Sequence, residues 1–262
     1  FIVILNEVKD PSRMRAPTSG EILRYALNDK NEAAPSRCKA KQWLMIGFIL
    51  LATSYLLLTT VRFWYADVRF NAGYQLSHAG YYQQAYEPFH EAIDANPGEP
   101  FYHDELSFVD AMLSVAASQQ KESTLSAQLA TEAISQNQKA LEISPQNVNF
   151  WKTRTKVLYT LDRDQEALES LAVAQELAPT DPKITYNQAL LWGRIGRNKE
   201  AIEQLQKTIN LKPNYQDARY ALALFYHEAG KKKEAISQLE YILKYISPTD
   251  KDIQTKLKEW QN

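Results

Sequence analysis

Cysteine is nearly missing from this 262-residue chain, where Cys38 stands alone. One thiol forms no intrachain disulfide, so cysteine usage leaves the redox compartment open. Glycine is scarce as well, with 8 residues, and the chain has no phosphate loop and no dinucleotide fingerprint. An excess of either charge is lacking: 30 basic side chains meet 31 acidic ones, a formal net charge of −1. No field points to nucleic acid. The 4 histidines, His78, His90, His103 and His227, have no partners at metal-ligand spacing, which argues against zinc. His103 with Glu105, and Ser77 beside His78, are too isolated to read as an acid–base pair or a triad. The expectation is a chain without catalytic residues, cofactor or metal. It begins at Phe1 rather than Met, which suits a fragment or a processed form.

One long apolar run is present. WLMIGFILLATSYLLLTTV, residues 43–61, carries no charge over 19 residues. As a helix rising about 1.5 Å per residue it spans roughly 28 Å, which matches a hydrocarbon core of about 30 Å. Trp43 at one end, and Trp64 with Tyr65 at the other, suit the two interfacial aromatic belts. A buried core helix would need a polar face that this run does not have. A cleaved signal peptide would be followed by small residues, and Arg62-Phe63-Trp64-Tyr65 follows instead. The run is read as a single transmembrane helix. Arg24, Lys30, Arg37, Lys39 and Lys41 precede it, and Arg62 and Arg69 follow. That bias places the N-terminus in the cytoplasm and the rest of the chain on the outer side of the cytoplasmic membrane.

Before the run, residues 1–42 show no sustained period and are punctuated by Pro11, Pro17, Gly20 and Pro35. They read as a disordered or cytoplasmic tail, with a short helix at Glu21–Asn28. The wording ILNEVKDPSRMRAPTSGEILRYALND also resembles a peptide that recurs in unrelated bacterial proteins, which would make it translated repeat DNA rather than a domain.

After the run the chain repeats itself. Ala167, Ala201 and Ala235 fall 34 residues apart, as do Leu171, Leu205 and Leu239; Pro179 and Pro213 keep the step, and Pro248 is late by one. A fixed period of this size marks stacked helical hairpins. These residues resemble tetratricopeptide repeats (TPRs), which are helix–turn–helix units of this length. Within the unit the family has small residues at the eighth and twentieth places, glycine near the fifteenth and proline at the thirty-second. Gly73, Gly80, Ala85 and Pro97 occupy those places in 66–99; Ala189, Gly196, Ala201 and Pro213 occupy them in 182–215; Ala223, Gly230 and Ala235 follow in 216–249. In 148–181, Thr155 and Asp162 depart from the pattern. The unit 100–147 is 14 residues too long. The simplest reading lengthens both of its helices by about two turns; a disordered insert near 117–125 is the alternative. Ile253, Leu257 and Trp260 share one face of a terminal segment, 250–262, fit to cap the array. The fold expected is all-α, one transmembrane helix followed by a TPR α-solenoid of about five units plus a capping helix.

The resemblance also implies a function. In this family the first helix of each unit lines a concave groove that holds a protein or peptide. Here those places hold Tyr74; then Lys152, Lys156 and Tyr159; then Tyr186 and Arg194; then Tyr220 and His227. Tyrosines interleaved with bases suit a peptide with acidic groups, or a glycan stacked on rings. Two readings follow. One is a non-catalytic, membrane-anchored scaffold for protein–protein interaction. The other rests on the order of membrane helix, short link and repeats over 43–262. That order resembles the C-terminal part of some bacterial O-antigen ligase or polymerase-like membrane proteins, of which this chain would be an accessory domain.

Overall fold

The computed structural model describes residues 18–21, 24 and 37–261. Most of the 1–42 tail, including most of the helix expected at 21–28, lies outside the described residues. The described chain is helical apart from short connections and the loops between helices, and no strand occurs among the described residues. It divides into two compact units, Phe1–Thr60 and Val61–Asn262.

In the first unit the backbone from Arg37 onward is the beginning of α1 (Arg37–His78), a 42-residue helix that continues into the second unit. Its side chains from Trp43 to Val61 are apolar all round, so no stripe is marked for burial. Leu44, Phe48 and Leu51 are 75%, 72% and 73% exposed. Among the described residues α1 alone is long and apolar enough to cross a membrane, and none of its most apolar stretch is buried. A core helix would show the reverse.

The second unit is a row of helical hairpins. The end of α1 pairs with α2 (Tyr82–Ala95), α3 (Pro100–Gln119) with α4 (Ser123–Ile143), and α5 (Val148–Thr160) with α6 (Asp164–Leu177). α7 (Pro182–Arg194) pairs with α8 (Asn198–Leu211), α9 (Gln216–Glu228) with α10 (Lys232–Tyr245), and α11 (Lys251–Gln261) closes the array. The long second pair has 20 and 21 residues where the next has 13 and 14. Both helices are extended, and only Gln120 to Glu122 separate them, so the alternative of an insert near 117–125 does not hold.

Small residues make the crossings. Ala85, Ala167, Ala201 and Ala235 are fully buried, and Phe89, Leu171, Leu205 and Leu239 fill the space beside them. A side chain larger than methyl at an alanine of this kind would force the helices apart. Two glycines are closer still to a neighbouring ring: a Cβ added at Gly73 would lie 3.1 Å from Phe89, and one at Gly193 would overlap Phe225.

Each hairpin turns in the same way. The N–H of Tyr81 donates to the carbonyl of Leu76 at 2.9 Å, and Arg163, Arg197 and Lys231 repeat the bond to Leu158, Trp192 and Tyr226, each at 2.8 Å. In each case the preceding residue is left-handed: Gly80 at φ 83°, Asp162 at 59°, Gly196 at 85° and Gly230 at 74°. This is the helix-ending motif in which orphan carbonyls are satisfied by a residue of positive φ. Asp162 departs from glycine in sequence and not in shape, since Asp tolerates this region better than most residues. Between hairpins, Asn147 and Asp181 accept from the N–H groups of Asn149 and Lys183 at 3.0 and 2.9 Å, and Pro100 and Pro182 open their helices where no N–H is required.

Candidate peptide-binding groove

The first helices of successive hairpins carry two adjoining cavities, both within the second unit. The first, of about 420 Å³, is lined by Lys152, Thr153, Thr155, Lys156 and Tyr159 of α5 and by Asn187, Leu190 and Leu191 of α7. The spacing of 152, 155, 156 and 159 puts these side chains on one helical face. The second cavity, of about 520 Å³, is lined by Tyr74, Ser77 and His78 of α1, Tyr82 of α2, Glu105 and Phe108 of α3, and again Thr153 and Lys156. Thr153 and Lys156 form the shared wall.

Four of the residues singled out from sequence, Tyr74, Lys152, Lys156 and Tyr159, thus line this pair of cavities. The other four do not. Arg194 lies beside the first cavity with its guanidinium 4.3 Å from the centroid of the Tyr159 ring. Tyr186 packs on Tyr215 at 5.1 Å, Tyr220 is half-buried against the core of the last hairpins, and His227 lies flat on Trp260 of the capping helix at 4.2 Å. Tertiary packing takes up much of Tyr186 and Tyr220, and one face of the otherwise exposed His227.

Charge is distributed differently from what a count of bases suggests. Lys152 is ion-paired with Asp181, and Arg194 with Asp162 and, at 3.0 Å, Asp164. Burial works against the Asp181 carboxylate, but Lys152 and the Lys183 N–H outweigh it and hold it below the usual carboxylate range. The Lys156 ammonium sits 3.3 Å from the Phe108 ring centroid. Behind Thr153, Asp104 is 4% exposed and accepts from Thr153 Oγ1 at 2.8 Å and Asn137 Nδ2 at 3.0 Å. Burial pushes its carboxyl up to about 7, against those two donors. Glu105 is also raised by burial, with His78 and Lys156 opposing the shift.

Asp104 and Phe108 were within reach of the sequence. Counted from Pro100, they occupy the fifth and ninth places of the long unit, the same places that pick out Lys152 and Lys156 in the next. The irregular length of that unit hides the register. His103 has a structural part, with Nδ1 2.7 Å from Gln136 Oε1 and Nε2 3.0 Å from the Pro97 carbonyl, which ties α3 to α4. Among the described residues no three His, Cys, Asp or Glu side chains converge as a metal site would require.

Known proteins bear on the fold. Residues 194–230 match the family model described as TPR repeat. TTC0263, a thermophilic TPR protein of Thermus thermophilus, is 19% identical and superposes with a TM-score of 0.55, over 75% of this chain and 98% of its own. YrrB, described as a TPR protein with an unusual peptide-binding site, is 19% identical with a TM-score of 0.50, over 73% of this chain and 90% of its own. Pseudomonas aeruginosa pilF is 20% identical with a TM-score of 0.53, over 69% and 76%. No curated protein matches the sequence significantly. The array that follows the apolar helix is therefore an α-solenoid of the TPR type.

Proposed function

We propose that the protein is a non-catalytic, membrane-anchored scaffold that holds a peptide segment of a partner protein in this groove. The first cavity supports the reading most directly. It is open, has the dimensions of a side-chain pocket, and presents Tyr159 and Leu190, 43% and 38% exposed, next to the amide of Asn187. Lys152 and Arg194 have carboxylate partners within the chain, so a partner gains little by bringing acids of its own to them. An apolar anchor residue with its backbone hydrogen-bonded by Asn187 is the better fit. A glycan has less support, because Tyr186 and Tyr220 are engaged by packing. YrrB is a TPR solenoid of similar extent whose description names peptide binding.

Leu190→Asp tests the groove. It is expected to lower recovery of the bound partner by about tenfold or more, as loss of a central apolar contact does. Glu203→Ala, on an exposed position of α8, is the control and leaves recovery unchanged. Equal recovery with both variants would reject this surface.

The anchor is the exposed apolar stretch of α1, and its proposed place is the cytoplasmic membrane, with the N-terminus inside and the hairpins outside. Ala66 is the first fully buried residue of α1 among the described residues. The lone Cys38 is a built-in reporter. A membrane-impermeant maleimide is expected to leave it unmodified in intact cells and to label it after permeabilisation, whereas Cys38→Ser with Glu203→Cys gives labelling in both. Labelling of Cys38 in intact cells would reverse the orientation.

A further inference from the structure

We infer that the second cavity receives a lysine or arginine side chain of the same partner segment whose apolar residue enters the first. This rests on the groove reading above and adds the chemistry of the partner. Three aromatic rings wall the cavity: Tyr74, Tyr82 and Phe108, with Tyr82 edge-on to Phe108 at 5.9 Å and 86°. Aromatic faces attract cations through their quadrupole. The chain already demonstrates the preference, since its own Lys156 places an ammonium 3.3 Å from the Phe108 centroid. Two carboxylates attend that one ammonium. Glu105 lines the cavity, and Asp104 stands directly behind Thr153. The neighbouring His78 is turned against Tyr74 at 4.2 Å. A second cation entering beside Lys156 would balance the two acids. An incoming carboxylate would face both of them with a single ammonium for compensation, which is the costly arrangement. Lys156 acts here as an internal occupant that a partner's base displaces or joins.

The test uses the full chain in detergent at pH 8, where the Asp104 carboxyl, at about 7, is ionised. The probes are short synthetic peptides of Gly and Ser that carry one Leu and, at each other position in turn, Arg or Asp. At the optimal spacing the Leu/Arg peptide is expected to bind about tenfold more tightly than any Leu/Asp peptide. Glu105→Gln is expected to remove most of that preference while leaving the Leu requirement intact. Lys156→Met is expected to strengthen binding of the Leu/Arg peptide severalfold, because the internal competitor is gone. A preference for Asp, no preference between Arg and Asp, or weaker binding by Lys156→Met overturns the inference and leaves the groove reading in place, provided that capture is still lost in Leu190→Asp. Absence of Leu-dependent capture from all peptides, or capture indifferent to Leu190→Asp, removes the groove reading and the inference with it.

Discussion

Asp110→Asn is expected to gain stability relative to the parent chain progressively as pH rises from about 4 to about 8. Asp110 lies on α3, fully buried, and neither carboxylate oxygen has a hydrogen-bond partner. Burial pushes its carboxyl up to about 8, with Glu132 adding to the rise, from an ordinary value of 3.8. Between those two values the folded chain keeps a proton that the unfolded chain has released. Folding therefore binds protons, and stability falls as pH rises across that window. Each pH unit inside it costs the fold at most about 1.4 kcal/mol, so the total is on the order of a few kcal/mol. Below about 4 both states hold the proton and the slope vanishes; above about 8 both have lost it, and the loss is complete. Asparagine does not ionise. Its amide donors bring a penalty of their own in this site, but that penalty is independent of pH. The measurement is chemical denaturation of parent and variant in detergent at several pH values. Parallel profiles would show that the Asp110 carboxyl meets water or a counter-charge. Asp104, with its carboxyl at about 7, adds a slope of the same sign to both proteins and cancels from the comparison.

Phe89→Ala is expected to destabilise the first hairpin by about 3–5 kcal/mol, the usual loss for deleting a buried aromatic ring. Phe89 is fully buried on α2, its ring is 5.6 Å from that of Phe70, and it fills the gap left by the missing side chain of Gly73. Neither helix can close that gap alone, because α1 and α2 are also held by other side chains. Tyr65 donates to Glu91 at 2.9 Å, Arg62 donates to the Asp94 carbonyl at 3.0 Å, and Arg69 pairs with Glu91. In a stack where each hairpin leans on its neighbours, damage at one end stays local. Amide exchange is therefore expected to speed up over 66–78 and α2 while α7 to α10 keep their protection. Uniform loss over all hairpins would mean that the array unfolds as one cooperative block.

The elements most legible in the sequence are those whose cause is short-range. The alanines and leucines that recur every 34 residues mark helix crossings because each hairpin must bury the same stripe in the same way. Gly80, Gly196 and Gly230 mark turns because the chain needs positive φ there. Lys121, at φ 64°, takes the same conformation in the long pair and gives no sign of it in sequence, since lysine has no preference for that region. The lengthened α3 and α4 follow from the spacing of Pro97 and Pro145.

The groove was half legible. Its position follows from the register of the first helices, and Tyr74, Lys152, Lys156 and Tyr159 face it as that register requires. Its charge does not follow. Bases along α5 and α7 invite an acidic partner when read by themselves. Their counter-charges stand on other elements: Lys152 meets Asp181, 29 residues on, Arg194 meets Asp162, 32 residues back, and Thr153 holds Asp104 across 49 residues. Nor can sequence tell that Tyr186 packs on Tyr215 and His227 stacks on Trp260, because those contacts form only when one hairpin is laid on the next.

By itself the sequence determined the repeat, the places of the glycine turns and the presence of a long apolar helix, since each depends on interactions within a hairpin or between identical neighbours. Only the tertiary structure decided which side chains remain free to meet a partner. Electrostatic compensation and ring stacking act through space between residues far apart in the chain, and no periodicity encodes them.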